Sequence, residues 1–265
     1  MPAVSAHRIA VVTGAAAGIG AAVARTLARD GYSLALLDRD DVELKRVAAE
    51  LAETIDGAEI ESHVVDVTDR QAVDAAVAST MDTFGRIDAL AHVAGILDTG
   101  SVLDSDPVQW RKIFDVNVFG LLNVLQSVGL EMRRQRTGSI VVVSSNAAGV
   151  PRIGMGAYGS SKAAATMLVR TAGLELAGDG IRVNVVAPGS TDTAMQRSLW
   201  SDPSDDSGAD AVIEGNLASY RLGIPLGKLA TADDIADSVH FLLSDRAAHI
   251  TMQALYVDGG ATLKA

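Results

Sequence analysis

Thr13-Gly14-Ala15-Ala16-Ala17-Gly18-Ile19-Gly20 joins a β-branched run, Arg8 to Thr13, to a helical stretch, Ile19 to Asp30. Glycines in such a turn let the main chain approach a pyrophosphate, and the N–H groups that open the helix meet its charge. A glycine-rich turn alone is a weak signal. Its place after a strand and before a helix makes this one strong. The spacing is Gly-x-x-x-Gly-x-Gly, with Ala17 and Ile19 inside the turn. Asp38 ends the next apolar run, Ser33 to Leu37, eighteen residues after Gly20. A carboxylate there accepts hydrogen bonds from the adenosine ribose hydroxyls and repels a 2′-phosphate. The expected cofactor is therefore NAD rather than NADP, although Arg39 follows at once and tempers the preference. A turn or helix-capping role is the alternative for Asp38. Asp66 and Val67, closing a third run, are expected beside the adenine.

Outward from that turn, short β-branched runs alternate with longer helical stretches. Helices are predicted at Val42 to Glu53, Gln71 to Thr83, Trp110 to Met132, Tyr158 to Ala177 and Asp233 to Leu243. Further strands are predicted at Glu59 to Asp66, Ile87 to Val93, Ser139 to Ser144, Arg182 to Ala187 and Ala254 to Val257. Seven strands with intervening helices predict an α/β fold, a Rossmann-like doubly wound parallel sheet with helices on both faces. The right-handed crossover rule leaves few topologies for it. One domain is expected over residues 1–265, with about 195–222 covering the substrate. Within that segment Trp200 to Asp210 has four aspartates, a proline, a glycine and no periodicity, so it reads as an irregular lid or a solvated loop.

Composition limits the chemistry. Apolar residues make up 48% of the 265 and aromatic ones 4%, so the core must be built from Ala, Val, Leu and Ile. Thirty-three acidic against twenty-two basic residues give a net charge of −11, which disfavours nucleic-acid partners. There is no cysteine, hence no disulfide, thiol nucleophile or thiolate metal site, and the five scattered histidines offer no metal-ligand cluster. Met1 to His7 has no long apolar stretch behind a basic segment, and no run approaches the ~20 residues that span a bilayer. No membrane partner and a cytoplasmic location are expected.

The second informative stretch is Tyr158-Gly159-Ser160-Ser161-Lys162, thirteen residues after the Ser144-Ser145 pair. Positions four apart share one helix face. A lysine ammonium one turn from a phenol favours the phenolate, whose ordinary pKa of about 10 is too high for a base at neutral pH. Ser145, at the end of an apolar run, is placed to hydrogen-bond the same substrate oxygen. An exposed helix with an ordinary Tyr and Lys would show the same spacing, so the assignment rests on the motifs around it.

Those motifs match a family. Thr13-Gly-x3-Gly18-Ile-Gly20, Asp66-Val67, Ala94-Gly95, Asn117, Ser145, Tyr158-x3-Lys162 and Pro188-Gly189 resemble the short-chain dehydrogenase/reductases, from His7 to the carboxyl end. The resemblance implies that Tyr158 is the general base or acid and that Ser145 positions the substrate oxygen. It implies that Lys162 binds the nicotinamide ribose and lowers the Tyr158 pKa, and that Asn117 holds a water linking Lys162 to solvent. Val93, Ala94 and Gly95 would lie along the cofactor, and Pro188, Gly189, Thr191 and Thr193 would line its nicotinamide side. A homotetramer is implied as well. The chain departs from the family's Asn-Asn-Ala-Gly at His92-Val93-Ala94-Gly95, which removes one bracing side-chain hydrogen bond. His92 is expected to be a buried, hydrogen-bonded core residue rather than a catalytic one.

The stretches Ser144 to Tyr158, Asn184 to Trp200 and Gly223 to Lys228 are similar to the branch of that family that aromatises 2,3-dihydro-2,3-dihydroxybenzoate. This implies a small anionic dihydroaromatic acid as substrate, with hydride passing from C3 to NAD. Arg152 is the leading partner for its carboxylate, with Arg197 and Arg221 as rivals. Met155, Met195, Gln196 and Trp200 would wall the ring. Oxidation of 2,3-dihydro-3-hydroxyanthranilate or of another cyclic alcohol is the nearest alternative; a non-catalytic NAD-binding regulator is the alternative from another class.

Overall fold

The run Arg8–Thr13 becomes β1, an interior strand of a sheet in which strand order grows outward in both directions. The computed structural model describes residues 8–263, so the reading of Met1 to His7 lies outside the described residues. Seven parallel strands form one sheet in the order β3-β2-β1-β4-β5-β6-β7. They are β1, β2 (Tyr32–Asp38), β3 (Ile60–Val64), β4 (Ala89–His92), β5 (Gly138–Val143), β6 (Ile181–Pro188) and β7 (Ala254–Val257). The order reverses between β1 and β4, and the crevice beyond the carboxyl ends of those strands is where such sheets bind ligands.

Helices cover both faces, as the near-continuous apolar strands require. On one face α1 (Gly18–Arg29), α2 (Asp41–Thr54) and α9 (Ala232–Leu243) bury Leu27, Leu44, Leu51 and Val239 against Val12, Leu34 and Leu36. On the other, α3 (Arg70–Phe84), α5 (Leu121–Gln135) and α6 (Gly156–Leu176) bury Val73, Leu121, Val128 and Val169 against Val11, Leu90 and Ile140. Both cores are built almost wholly from Ala, Val, Leu and Ile, which is how a chain so poor in aromatic residues closes a sheet of this size.

Three expectations change. The third strand stops at Val64, two residues early, because Asp66 turns the chain by accepting from the Thr68 N–H at 2.9 Å and the Thr68 hydroxyl at 2.7 Å. The middle helix is longer and interrupted: α4 (Pro107–Phe114) leads through a π-helical stretch (Asp115–Gly120) into α5. Over Pro107–Gln135 it is long and apolar enough by length and composition to cross a membrane, contrary to the reading of the sequence, but half of its apolar window is buried inside this fold. The acidic stretch after Trp200 is only partly irregular. The short α7 (Ala194–Arg197) and α8 (Ser207–Glu214) bracket its turns. Asp202 and Asp205 carry those turns by accepting from Ser204 and Ser207.

Arg182 on β6 ties the sheet to the end of α9, a contact the sequence pattern did not signal. Its guanidinium donates to the carbonyls of Leu242 at 2.7 Å, Leu243 at 3.0 Å and Ser244 at 3.1 Å. These are carbonyls that a helix end leaves unpaired, and the cation meets the negative end of the helix dipole. Arg182→Met is expected to lower unfolding free energy by about 2 kcal/mol, since charged hydrogen bonds contribute about 1.5–3 kcal/mol each but partial solvation returns some of it. Urea denaturation checks this: the midpoint falls while the slope is unchanged.

Candidate active site

Gly14 follows the carboxyl end of β1, against the backbone that leaves the paired end of β4. It has φ +69°, and an added Cβ would lie 2.8 Å from the Ala94 nitrogen. A Cβ on Gly20 would lie 1.9 Å from the Gly14 carbonyl oxygen, so neither position accepts a side chain. Ala17, at the N-cap of α1, gives no side-chain cap, and the first turn of α1 holds no acidic residue. The opening N–H groups are left facing the crevice with the positive end of the helix dipole behind them, an arrangement that suits an anion. Asp38 accepts from the Ala16 N–H and from the Asp40 N–H, each at 3.0 Å, which locks the glycine turn onto the end of β2. It therefore has the turn role as well as a place in the crevice.

A cavity of about 300 Å³ runs along this crevice. The turn lines it with Gly14, Ala17, Gly18, Ile19 and Gly20; the end of β4 adds Val93, Ala94 and Gly95. After β6 come Pro188, Gly189, Thr191 and Thr193. A smaller adjoining cavity of about 110 Å³ is lined by Asp38, Arg39, Asp66 and Val67, with Ile96 and Val116. These residues fit a dinucleotide: a side-chain-free cradle with unpaired donors for the phosphates, and a carboxylate beside a recess with apolar walls.

Tyr158 and Lys162 stand one turn apart on the buried face of α6, and Ser145 leads into the 3-10 turn Asn146–Ala148 after β5. All three line the main cavity. The Ser145 hydroxyl acts on Tyr158 to favour the phenolate, and its oxygen accepts from the Ala147 N–H at 3.1 Å. The Lys162 ammonium donates to the Val143 carbonyl at 3.1 Å and lies 5.9 Å from the centre of the Tyr158 ring. Burial pushes the Lys162 pKa down to about 8. Burial raises the Tyr158 pKa, and Ser145 offsets this only in part. The lowering of the phenol expected from the Tyr158–Lys162 spacing is thus not what the fold by itself produces, because burial dominates.

Asn117 lies in the π-helical stretch and lines neither cavity. Its side chain grips Ile96 in both directions, accepting from the Ile96 N–H at 2.8 Å and donating to the Ile96 carbonyl at 2.9 Å. It also donates to Ser161 at 3.0 Å. A Cβ on Gly95 would lie 3.1 Å from the Lys162 nitrogen and 3.2 Å from the Asn117 oxygen, so the three residues close one corner of the site.

His92 is buried, as expected, with Nδ1 3.0 Å from the Thr13 hydroxyl. That hydroxyl oxygen also accepts from the Val93 and Ala94 N–H groups, each at 3.2 Å. Its proton therefore goes to Nδ1, and the ring proton sits on Nε2, which has no partner among the described residues. Thr13 thus supplies bracing at the point where Val93 lacks an amide. Burial first, and Lys162 second, push the His92 pKa down to about 3, so the ring is neutral at ordinary pH.

Arg152, Met155, Met195 and Gln196, the residues expected around the substrate, line the cavity, with Leu199 and Arg221 beside them. Trp200 does not line it. Its ring lies under the Arg197 guanidinium, 4.8 Å away, and would be 2.4 Å from a Cβ on Gly208, so it packs the lid segment against itself. Arg197 is consumed as well, paired with Asp192 at 2.6 Å and Asp206 at 3.0 Å. Behind Ser145, Asn146 donates to Asp258 at 3.2 Å, and Asp258 also accepts from Thr262 at 2.8 Å and the Gly260 N–H at 3.0 Å. No spacing in the sequence joins Asn146 to Asp258, which lies 112 residues on.

A family profile described as enoyl-(acyl carrier protein) reductase matches residues 14–262. A 2,3-dihydro-2,3-dihydroxybenzoate dehydrogenase of Bacillus subtilis is 49% identical over 97% of this chain and 96% of its own length. An enzyme of the same name from Escherichia coli is 44% identical over 96% of each. The chain belongs to the short-chain dehydrogenase/reductase family. Levodione reductase, a solved structure, superposes with a TM-score of 0.90 at 30% identity over 97% of this chain and 98% of that one. The chain is accordingly an oxidoreductase, and its doubly wound sheet is that of its relatives.

Lys162 gives a stability signature. Unfolded, the lysine holds its proton to near 10.5; folded, it releases it near 8. Between those values the unfolded state binds more protons, so stability rises with pH. Lys162→Met removes this dependence. The stability of the natural chain relative to the variant is expected to rise by about 2 kcal/mol between pH 7 and pH 10, as urea denaturation at the two pH values would measure.

Proposed function

We propose that this chain oxidises 2,3-dihydro-2,3-dihydroxybenzoate to 2,3-dihydroxybenzoate with NAD. The observation that carries the reading is one cavity lined by the glycine cradle at one end, by Ser145, Tyr158 and Lys162 in the middle, and by Arg152 with Met155, Met195 and Gln196 at the other. The two curated relatives bearing that activity in their names support the substrate. When bound, the nicotinamide ring supplies the hydride acceptor. The chain's own residues do the rest. Ser145 and Tyr158 hydrogen-bond the C3 oxygen and fix the C3–H direction. Tyr158 takes the hydroxyl proton as hydride leaves carbon, and Lys162 holds positive charge beside the phenolate being used. The ketone that results enolises to an aromatic catechol, which removes the reverse reaction.

Asp38 favours NAD over NADP by its charge. Asn117 fixes Ile96 and, through Ser161, the start of α6, in addition to the solvent link the family resemblance assigns to it. The segment 195–222 is read as the cover of the substrate, and Arg152 meets the carboxylate. Arg152 is partly buried, and burial together with Arg221 lowers its pKa, while Asp258 opposes this. A homotetramer, packed through the middle helices and the β7 region, belongs to the same reading. Exposed Phe119 and Leu130 on the long helix and Leu255 on β7 support it.

Tyr158→Phe is expected to lower kcat by at least about 100-fold while NAD affinity by calorimetry stays within about twofold, because only the proton acceptor is lost. Retained turnover would remove Tyr158 from the reaction. Assay of the dihydroxy acid against 2,3-dihydro-3-hydroxyanthranilate decides the ring substituent; faster turnover of the amine would overturn the substrate. Because burial raises the Tyr158 pKa, kcat/KM for alcohol oxidation should increase as pH rises from about 6 to 9. A flat profile would show that proton removal by the phenol does not limit the reaction.

A further inference from the structure

We propose that Arg152 and Arg221 act together as a two-sided clamp on the substrate carboxylate, so that one anion ties the loop before α6 to the segment after α8. The inference rests on the oxidation assigned above and deepens it, because it makes Arg221 a specificity-determining residue alongside Arg152.

Both arginines line the cavity that holds Tyr158 and Ser145. They come from distant parts of the chain. Arg152 enters from the loop between β5 and α6. Arg221 is set by main-chain pairing with Asn216, whose N–H donates to the Arg221 carbonyl at 2.8 Å and whose carbonyl accepts from the Arg221 N–H at 2.9 Å. Gly215 and Gly223 close this turn with φ +82° and +83°; a Cβ on Gly215 would be 2.4 Å from the Gly223 nitrogen. Only glycine fits there, so the point from which Arg221 emerges is specified by the backbone.

The third candidate, Arg197, shows what a satisfied cation looks like here: Asp192 and Asp206 both pair with it. The Arg152 and Arg221 side chains form no ion pair or hydrogen bond among the described residues, in a chain where acidic residues outnumber basic ones 33 to 22. Asp258 attracts Arg152, but that carboxylate already accepts from Asn146, Thr262 and Gly260. Two like charges sharing a partly desolvated cavity repel, and an anion between them turns the repulsion into two attractions. A carboxylate has two oxygens with about four acceptor sites, enough to receive a guanidinium fork from either side.

The test uses Arg152→Met, Arg221→Met and the natural chain, full length and with NAD present. Calorimetric titration with 2,3-dihydroxybenzoate and with catechol, which lacks the carboxylate, separates anion recognition from ring recognition. The natural chain should prefer the acid. Each substitution should weaken acid binding about tenfold or more, leave catechol binding unchanged, and raise KM for the dihydrodiol acid more than it lowers kcat. Thermal midpoints should not fall, because each substitution removes a repelling charge rather than a contact. Unchanged acid affinity in Arg221→Met, or no preference for acid over catechol in the natural chain, would overturn the clamp. If the natural chain fails to oxidise the dihydrodiol acid, the assigned oxidation falls, and the two titrations still decide the clamp: a preference lost in Arg221→Met supports it, a preference kept overturns it.

Discussion

The close approach of β1 and β4 at Gly14 and Ala94 is the constraint on which the site depends. Strand order turns there, and the chain leaves β1 into the first helix on one side of the sheet and β4 into the middle helix on the other. Bare backbone at that junction leaves room for a ligand where any other fold position would carry a side chain. Gly20 repeats the constraint one step along, under the Gly14 carbonyl. Asp38 and Thr13 then hold the two strand ends, the first through the Ala16 N–H and the second through the Val93 and Ala94 N–H groups.

A second feature is a buried ammonium kept at a cost. Lys162 is buried and has one carbonyl partner among the described residues, Val143. Its neighbours in the site are oriented by polar contacts within the protein: Asn117 through Ile96 and Ser161, Ser145 through the Ala147 N–H, and the Asn146 turn through Asp258. Neutral His92, beneath the same corner, adds no second charge. The stability lost to desolvation of Lys162 is the kind of local sacrifice that active sites make for reactivity.

The family, the sheet and the positions around the cofactor crevice were legible because local rules govern them. A glycine spacing between strand and helix, β-branched runs buried on both sides, and a four-residue interval on one helix face are read within a few residues. The elements that shifted did so where distant contacts overrode the local pattern. Asp66 ends its strand early by turning onto Thr68. The middle helix takes a π-helical stretch where Asn117 reaches back to Ile96 and where a Cβ on Gly120 would lie 2.6 Å from Val67. Trp200 looked like a cavity wall from its position after Met195, yet it stacks on Arg197.

The amino-acid order by itself determined that a parallel sheet would form, where its strands would turn, and which hydroxyl, ammonium and carboxylate would reach the crevice, since these follow from periodicity and backbone sterics. Tertiary structure alone decided which arginines remain unneutralised, which aspartate stands behind the Asn146 turn, and in which direction burial moves the pKa of Tyr158 and Lys162. Those properties depend on distances between residues far apart in the chain and on how much water each retains, and neither quantity is written in any local stretch.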